Sequence, residues 1–209
     1  DYASPLQSWR KYVRDFKTEP LFTVTGFPKD GRVRLATMDA YDGVVYNVAE
    51  DGAGSSSAFT AVRSNMSPEA EGSETKVRVD IENLSGVWLP SVGSARDITF
   101  DGDRANDLRR GAHFNDATGT AVVTSGVRSG DAYTIDTIIP RIPADEQIGD
   151  EPFAPLKMPK QTGIPQALSE IASDATEDAE TPIEQARALE SYLQTDGYFS
   201  HGLADDVYS

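Results

Sequence analysis

The seven residues Lys76 to Glu82, reading KVRVDIE, constrain the fold more than any other stretch of the chain. Val77, Val79 and Ile81 point to one side of an extended strand, and Lys76, Arg78, Asp80 and Glu82 point to the other. One face is dry and the other wet. A strand buried on both faces, as in a parallel sheet covered by helices, reads instead as an unbroken apolar run. The stretch therefore calls for an antiparallel sheet packed on one side only.

Other segments repeat the pattern. Phe22 and Val24 alternate with Thr23 and Thr25, and Gly26 to Gly31 supply a turn. Val33 and Leu35 alternate with polar or small neighbours, and Asp42-Gly43 marks a hairpin before Val44 to Val48. Ala58 to Arg63 suits a short strand, Val87 to Pro90 a strand end or edge, and Asp97 to Phe100 another strand. Gly119 to Thr124 and Ala132 to Ile139 read as paired strands joined through Gly126 to Gly130, with Tyr133, Ile135, Thr137 and Ile139 on one face. About eight short strands separated by turn signals, with no helix of crossover length between them, predict a β-sandwich or a curled antiparallel sheet.

Helices are predicted on both sides of this region. Ser4, Pro5 and Gln7 form an N-terminal box, and Leu6, Trp9, Val13 and Phe16 make an apolar stripe over residues 4–16, with Trp9 read as core. Near the other end, Ile164, Leu168, Ile171 and Ala172 mark a modest helix. Thr181 to Tyr198 is the strongest helical signal. Thr181 caps it, Pro182 sits at the first turn, Glu184 completes the box, and Gly197 follows where a left-handed C-terminal cap is expected. Ile183, Ala186, Leu189 and Leu193 share one face. Between these regions six prolines fall from Pro140 to Pro165, as in a linker or surface strap. The expected fold is mainly β (α+β): an antiparallel β-sandwich-like domain with an N-terminal helix and two C-terminal helices. Its divisions are a β-rich domain over 1–140, a proline-rich linker over 141–163 and a helical segment over 164–209.

Composition narrows function mostly by exclusion. The chain has 209 residues, enough to bury roughly 70% of its unfolded surface. Its 34 acidic and 19 basic residues give a formal charge of −15. Such a surface repels phosphate backbones and anionic lipid headgroups, so neither nucleic acid nor direct membrane insertion is expected. There is no cysteine, which removes disulfides, thiolate metal sites and a cysteine nucleophile together. No apolar run reaches bilayer length and no signal peptide opens the chain. Asp1 opens within a patterned segment, so membrane anchors are expected to lie outside these residues.

Signals for chemistry are sparse. His113 and His201 have no nearby soft ligands, and zinc needs three or four. Asp101 to Asp107 resembles a calcium loop but carries Ala105 and Asn106 at its fifth and sixth positions and Ala112 at its twelfth. A plain acidic turn is the reading, with calcium as its alternative. Asp51 to Ser57 lacks the Gly-Lys-Ser/Thr ending of a phosphate loop, and no serine lies in a nucleophile elbow. No cofactor is expected. Trp88, beside Pro90 at a strand end, either stacks on a sugar ring or sits in the sandwich core.

Several stretches together resemble one family. Tyr2 to Leu6 with Trp9 to Tyr12, Arg34 to Gly43, Trp88-Leu89-Pro90, Asn115 with Thr118 to Ala121, and Gly130 to Tyr133 are similar to a segment of bacterial membrane-anchored transglutaminase-like proteins of the TgpA type. The Thr181-to-Tyr198 helix followed by Phe199-Ser200-His201 resembles the approach to their catalytic core. The resemblance implies membrane-spanning helices before this region and a papain-like core with a Cys-His-Asp triad after it. It implies an extracytoplasmic, non-catalytic accessory domain that positions the core or presents protein or cell-wall peptide substrate. A chain without cysteine holds no catalytic residue of that triad. The partners are then the downstream core and a protein or cell-wall substrate. Trp88, Ile183, Leu189 and Leu193 are the candidate interaction residues, the last three because a helix that opens a missing core leaves its apolar face partly unpartnered. The alternative is a stand-alone extracellular binding module for cell-wall glycan or protein.

Overall fold

The computed structural model of the chain describes residues 9–29, 31–41, 46–48, 59–62, 66, 70–155 and 163–196. In chain order these form helix α1 (Trp9–Asp15), strands β1 (Phe22–Thr25), β2 (Val33–Arg34), β3 (Ala40–Tyr41), β4 (Tyr46–Asn47), β5 (Thr60–Ala61), β6 (Gly72–Ile81), β7 (Gly86–Leu89), β8 (Ser91–Val92) and β9 (Ser94–Asp101). Helix α2 (Ala105–Gly111), strands β10 (Ala112–Asn115), β11 (Thr120–Val127) and β12 (Ala132–Pro140), and helices α3 (Asp145–Ile148), α4 (Gln166–Ala175) and α5 (Pro182–Thr195) follow. Two compact units result, one running to Arg141 and one beginning at Ile142.

The alternating segment lies in β6, at the heart of an antiparallel sheet ordered β1-β6-β12-β9. Val77 pairs with Ile135 and Val79 with Tyr133, so same-side residues of neighbouring strands build one apolar face. The second sheet, β5-β10-β11-β7, offers Phe114, Ala121, Val123 and Leu89. These join Val79, Ile81, Ile98, Phe100, Tyr133 and Ile135 of the first sheet in one buried cluster. That is the packing of a sandwich, mainly β with α+β additions. Each Val, Leu, Ile or Phe among them contributes about 1.5–3 kcal/mol by leaving water. The opposite face of the first sheet is wet and ionic: Arg78 binds Asp80 and Asp101, and Lys76 binds Asp136 at 2.9 Å.

Three sequence expectations are corrected. The segments 119–124 and 132–139 do not pair. β11 bonds to β10 and β7, whereas β12 bonds to β6 and β9 in the other sheet. The connection turns at Gly126 and Gly130, both at positive φ (71° and 88°), and is then caught by β6. The Gly130 N–H donates to the Ile81 carbonyl at 3.0 Å and the Ile81 N–H to that of Asp131 at 2.8 Å. The acidic run after Asp101 is only partly a turn: α2 begins at Ala105, and its fully buried Leu108 anchors it in the core. The proline-rich stretch also contains α3, whose first turn is held by Gln147 accepting the Ala144 N–H at 3.1 Å.

The hairpin read around Asp42-Gly43 has its strands, with Ala40 opposite Asn47 and Tyr41 opposite Tyr46. Its turn, the Asp51-to-Ser57 loop, the first residues of the predicted N-terminal helix, the Trp9 side chain, Gly197 and His201 lie outside the described residues.

Candidate interaction surface

Trp88 belongs to the β-rich unit, and Ile183, Leu189 and Leu193 to α5 in the helical unit. On β7, Leu89 lies opposite Ala121 of β11, and Trp88 lies opposite Val122. Leu89 and Ala121 belong to the inter-sheet core, so alternation turns Trp88 and Val122 to the other face of that sheet. The indole is nevertheless buried, with Phe59 edge-on to it at 6.4 Å. Trp88 is thus enclosed, as the core reading expects, but on the outer face of its sheet and outside the cluster between the two sheets.

Thr120 shares that face of β11 and leads into a polar cluster. Its hydroxyl donates to the Thr37 hydroxyl at 3.2 Å, and Thr37 donates to the Thr118 carbonyl at 3.2 Å. Arg34 reaches the Gly119 carbonyl at 3.1 Å, and the Thr118 N–H reaches the Asn115 side chain at 3.1 Å. Tyr133 donates to the Pro90 carbonyl at 2.6 Å, and its burial pushes the phenol well above its usual range, so it remains a donor. Stretches that carry the family resemblance, scattered over a hundred positions, meet here. The described bonds run between parts of the same unit and serve to fasten it.

The other sequence candidates resolve into structural roles. His113 is half-buried, with Nδ1 2.9 Å from the Gly111 carbonyl. Asp101 accepts from Arg78 and Asp107 from Arg110, so two carboxylates of the calcium-like run already neutralise arginines. Among the described residues no group of three or more metal-ligating side chains is found.

In the helical unit, the α5 cap forms as its residues dictate. The Thr181 hydroxyl accepts the Glu184 N–H at 3.3 Å, and the Glu184 carboxylate accepts the Thr181 and Glu180 N–H groups at 3.0 and 2.9 Å. Those backbone donors hold the Glu184 carboxyl below the usual glutamate range. Arg187 ties α5 to α3 through two 2.8 Å bonds to Asp145 and also binds Glu190 at 2.7 Å.

No residue of α4 or α5 is buried. The stripe predicted on α5 splits: Ile183 and Leu189 are half-buried along with Ala188 and Tyr192, whereas Ala186 is exposed and Leu193 is 67% exposed. Leu193 is thus open to a partner, and Ile183 and Leu189 only in part. A second set was not singled out from the sequence as a site. Leu168 and Ile171 of α4, three residues apart, share a face and are 52% and 38% exposed, and Ile164, just before the helix, is 44% exposed. The spacing was legible, but only burial distinguishes a stripe that packs from one that does not. Where α4 meets α5 an open depression of about 330 Å³ is lined by Asp174, Asp178, Glu180 and Glu184 over alanines.

The family model for the TgpA N-terminal domain matches residues 8–144, covering the β-rich unit and ending before α4. No curated protein and no solved structure matches the chain. No helix among the described residues is long and apolar enough to cross a membrane.

Proposed function

The chain belongs to the family of TgpA N-terminal domains, and from that membership we propose that it is the non-catalytic accessory part of a membrane-anchored transglutaminase-like protein. It stands on the extracytoplasmic face of a bacterial membrane and positions the catalytic core or presents a protein or cell-wall peptide substrate to it. The observation that carries this reading is the combination of the family match with a chain that has no cysteine. Acyl transfer by a papain-like triad requires a thiolate, so the covalent step must be supplied by another part of the parent protein.

The test compares the 209-residue chain, the parent protein, and the parent lacking residues 8–144 in incorporation of an amine into glutamine substrates. The chain alone should show no turnover. The shortened parent should keep its rate on a small glutamine ester and lose most of its kcat/KM on a folded protein or cell-wall peptide. Unchanged kcat/KM on every substrate would overturn the accessory role. The stand-alone extracellular module for cell-wall glycan or protein loses Trp88 as a stacking platform, because that indole is buried.

A further inference from the structure

The proline-rich stretch after β12 has the composition of a free linker, yet its described residues 142–155 group with α4 and α5 rather than with the sheets. Little in α3 accounts for that. Its four residues bury nothing, its apolar side chain Ile148 is only half-covered, and a single helical turn is too short to hold itself. Its N–H groups find local acceptors: Gln147 and Ile148 donate to the Ala144 carbonyl at 2.9 and 3.3 Å, and Gly149 to that of Asp145 at 3.0 Å. Among the described residues, the hydrogen bonds that reach from 142–155 to the rest of the unit are those of Arg187 with Asp145, 42 positions apart.

The Arg187 guanidinium engages all three of its nitrogens. Nε and Nη2 donate to the two Asp145 oxygens at 2.8 Å each, and Nη1 donates to Glu190 at 2.7 Å, one turn along α5. Exposed ion pairs are ordinarily weak, but a two-bond fork steadied by a second carboxylate adds geometry to charge. With Arg187 51% and Asp145 39% exposed, water and salt still reach the pair. The hold is therefore marginal, as a reversible fastening requires. The charges that face it are Asp145 from α3 and Arg187 and Glu190 from α5, and the bonded guanidinium holds the Asp145 carboxyl below the usual aspartate range. Closure is thus fully favoured above the ordinary aspartate value and is lost as pH falls through the lowered one. When it is closed, Ile142, Pro143 and Ala144 are the free chain between Arg141 and the fastened point; when it is open, the connection runs on to Pro165 at the start of α4.

We propose that Arg187 and Asp145 form a salt- and acid-sensitive latch, which fastens the proline-rich strap to α5 and so sets how much free chain joins the β-rich unit to the helices. The inference stands on the contacts of the helical unit and does not depend on the accessory role. It needs arginine rather than lysine at position 187, because an ammonium is a point charge without a fork.

The chain has no cysteine, so spin labels attached at Asp150→Cys and Gln194→Cys, both exposed positions, read the distance from the strap to α5 in the 209-residue chain without competition. At neutral pH and low salt one short, narrow distance should dominate. Arg187→Lys and Asp145→Asn should each lower the ratio of closed to open about two- to fivefold in favour of a longer, broader distribution. About 1 M salt, where the Debye length falls to about 3 Å, or a pH below the lowered Asp145 value should do the same and add nothing in the Asp145→Asn chain. Glu146→Gln, which removes a neighbouring charge on α3 but no described bond, should leave the distances unchanged. Far-ultraviolet circular dichroism reports whether Arg187→Lys disturbs α5, and Asp145→Asn breaks the same contact without altering that helix. A broad distribution already present in the labelled chain, distances indifferent to Arg187→Lys, Asp145→Asn and salt, or an equal response to Glu146→Gln would each overturn the latch.

Discussion

Asp131 is the buried carboxylate among the described residues, its side chain 4% exposed and facing an Arg104 side chain 19% exposed. It also accepts the Arg128 N–H at 2.9 Å, while Arg104 donates to the Gly126 carbonyl at 3.1 Å. The pair therefore clasps both ends of the connection that carries the chain from one sheet to the other. Asp131→Ala would leave a mostly buried guanidinium without its counter-charge, and urea unfolding should show a loss of about 3–5 kcal/mol. Asp80→Ala, on the half-exposed ionic face, should cost at most about 1 kcal/mol because water and salt screen its bond to Arg78. Equal losses would refute the distinction. Nothing local announced this pair, since its members stand 27 positions apart in the chain. Trp88 illustrates the same limit: its type made burial the expectation, but which side of the sheet enclosed it depended on register with β11.

At the scale of elements, what is local was legible and what is a partnership was not. β6 and α5 were readable because a period-two alternation or a capping box is complete within a few residues. The pairing of β11 and β12 was misread because two patterned strands and a glycine-bearing connection fit a hairpin and a sheet-to-sheet crossing equally well. The α5 cap yields two expectations. Thr181→Ala should weaken the helix by about 1 kcal/mol, read as lower far-ultraviolet helicity or faster exchange in its first turn. Glu184 has its folded-state carboxyl held below the usual range by the Thr181 and Glu180 N–H groups, so the cap is fully present above the ordinary glutamate value and is lost as pH falls through the lowered folded value. The amide resonances of Glu180 and Thr181 should therefore titrate with a midpoint below that of a free glutamate, and Glu184→Gln should remove the titration. A midpoint at or above the ordinary value would contradict the cap.

Across the whole molecule, the buried apolar side chains of the described residues all fall between Val77 and Ile135. Stability should therefore reside in the β-rich unit. Removing residues 161–209 should leave its cooperative thermal transition within about 4 °C, the shift that roughly 1 kcal/mol produces in a domain of this size. A larger fall would mean that the helical unit stabilises the sheets. The sequence by itself determined the class of the fold, the capped closing helix, the absence of a thiol nucleophile and the family resemblance that the family match bore out. Alternation, capping and composition are properties of neighbouring residues, so they survive without coordinates. Only the tertiary structure decided that β11 and β12 lie in different sheets, that Arg104 meets Asp131, and that the α5 stripe divides while that of α4 stays open. Each of those depends on which distant surfaces come together to leave water. A hydrophobic pattern states that a face must be covered, and the packed chain alone states by what.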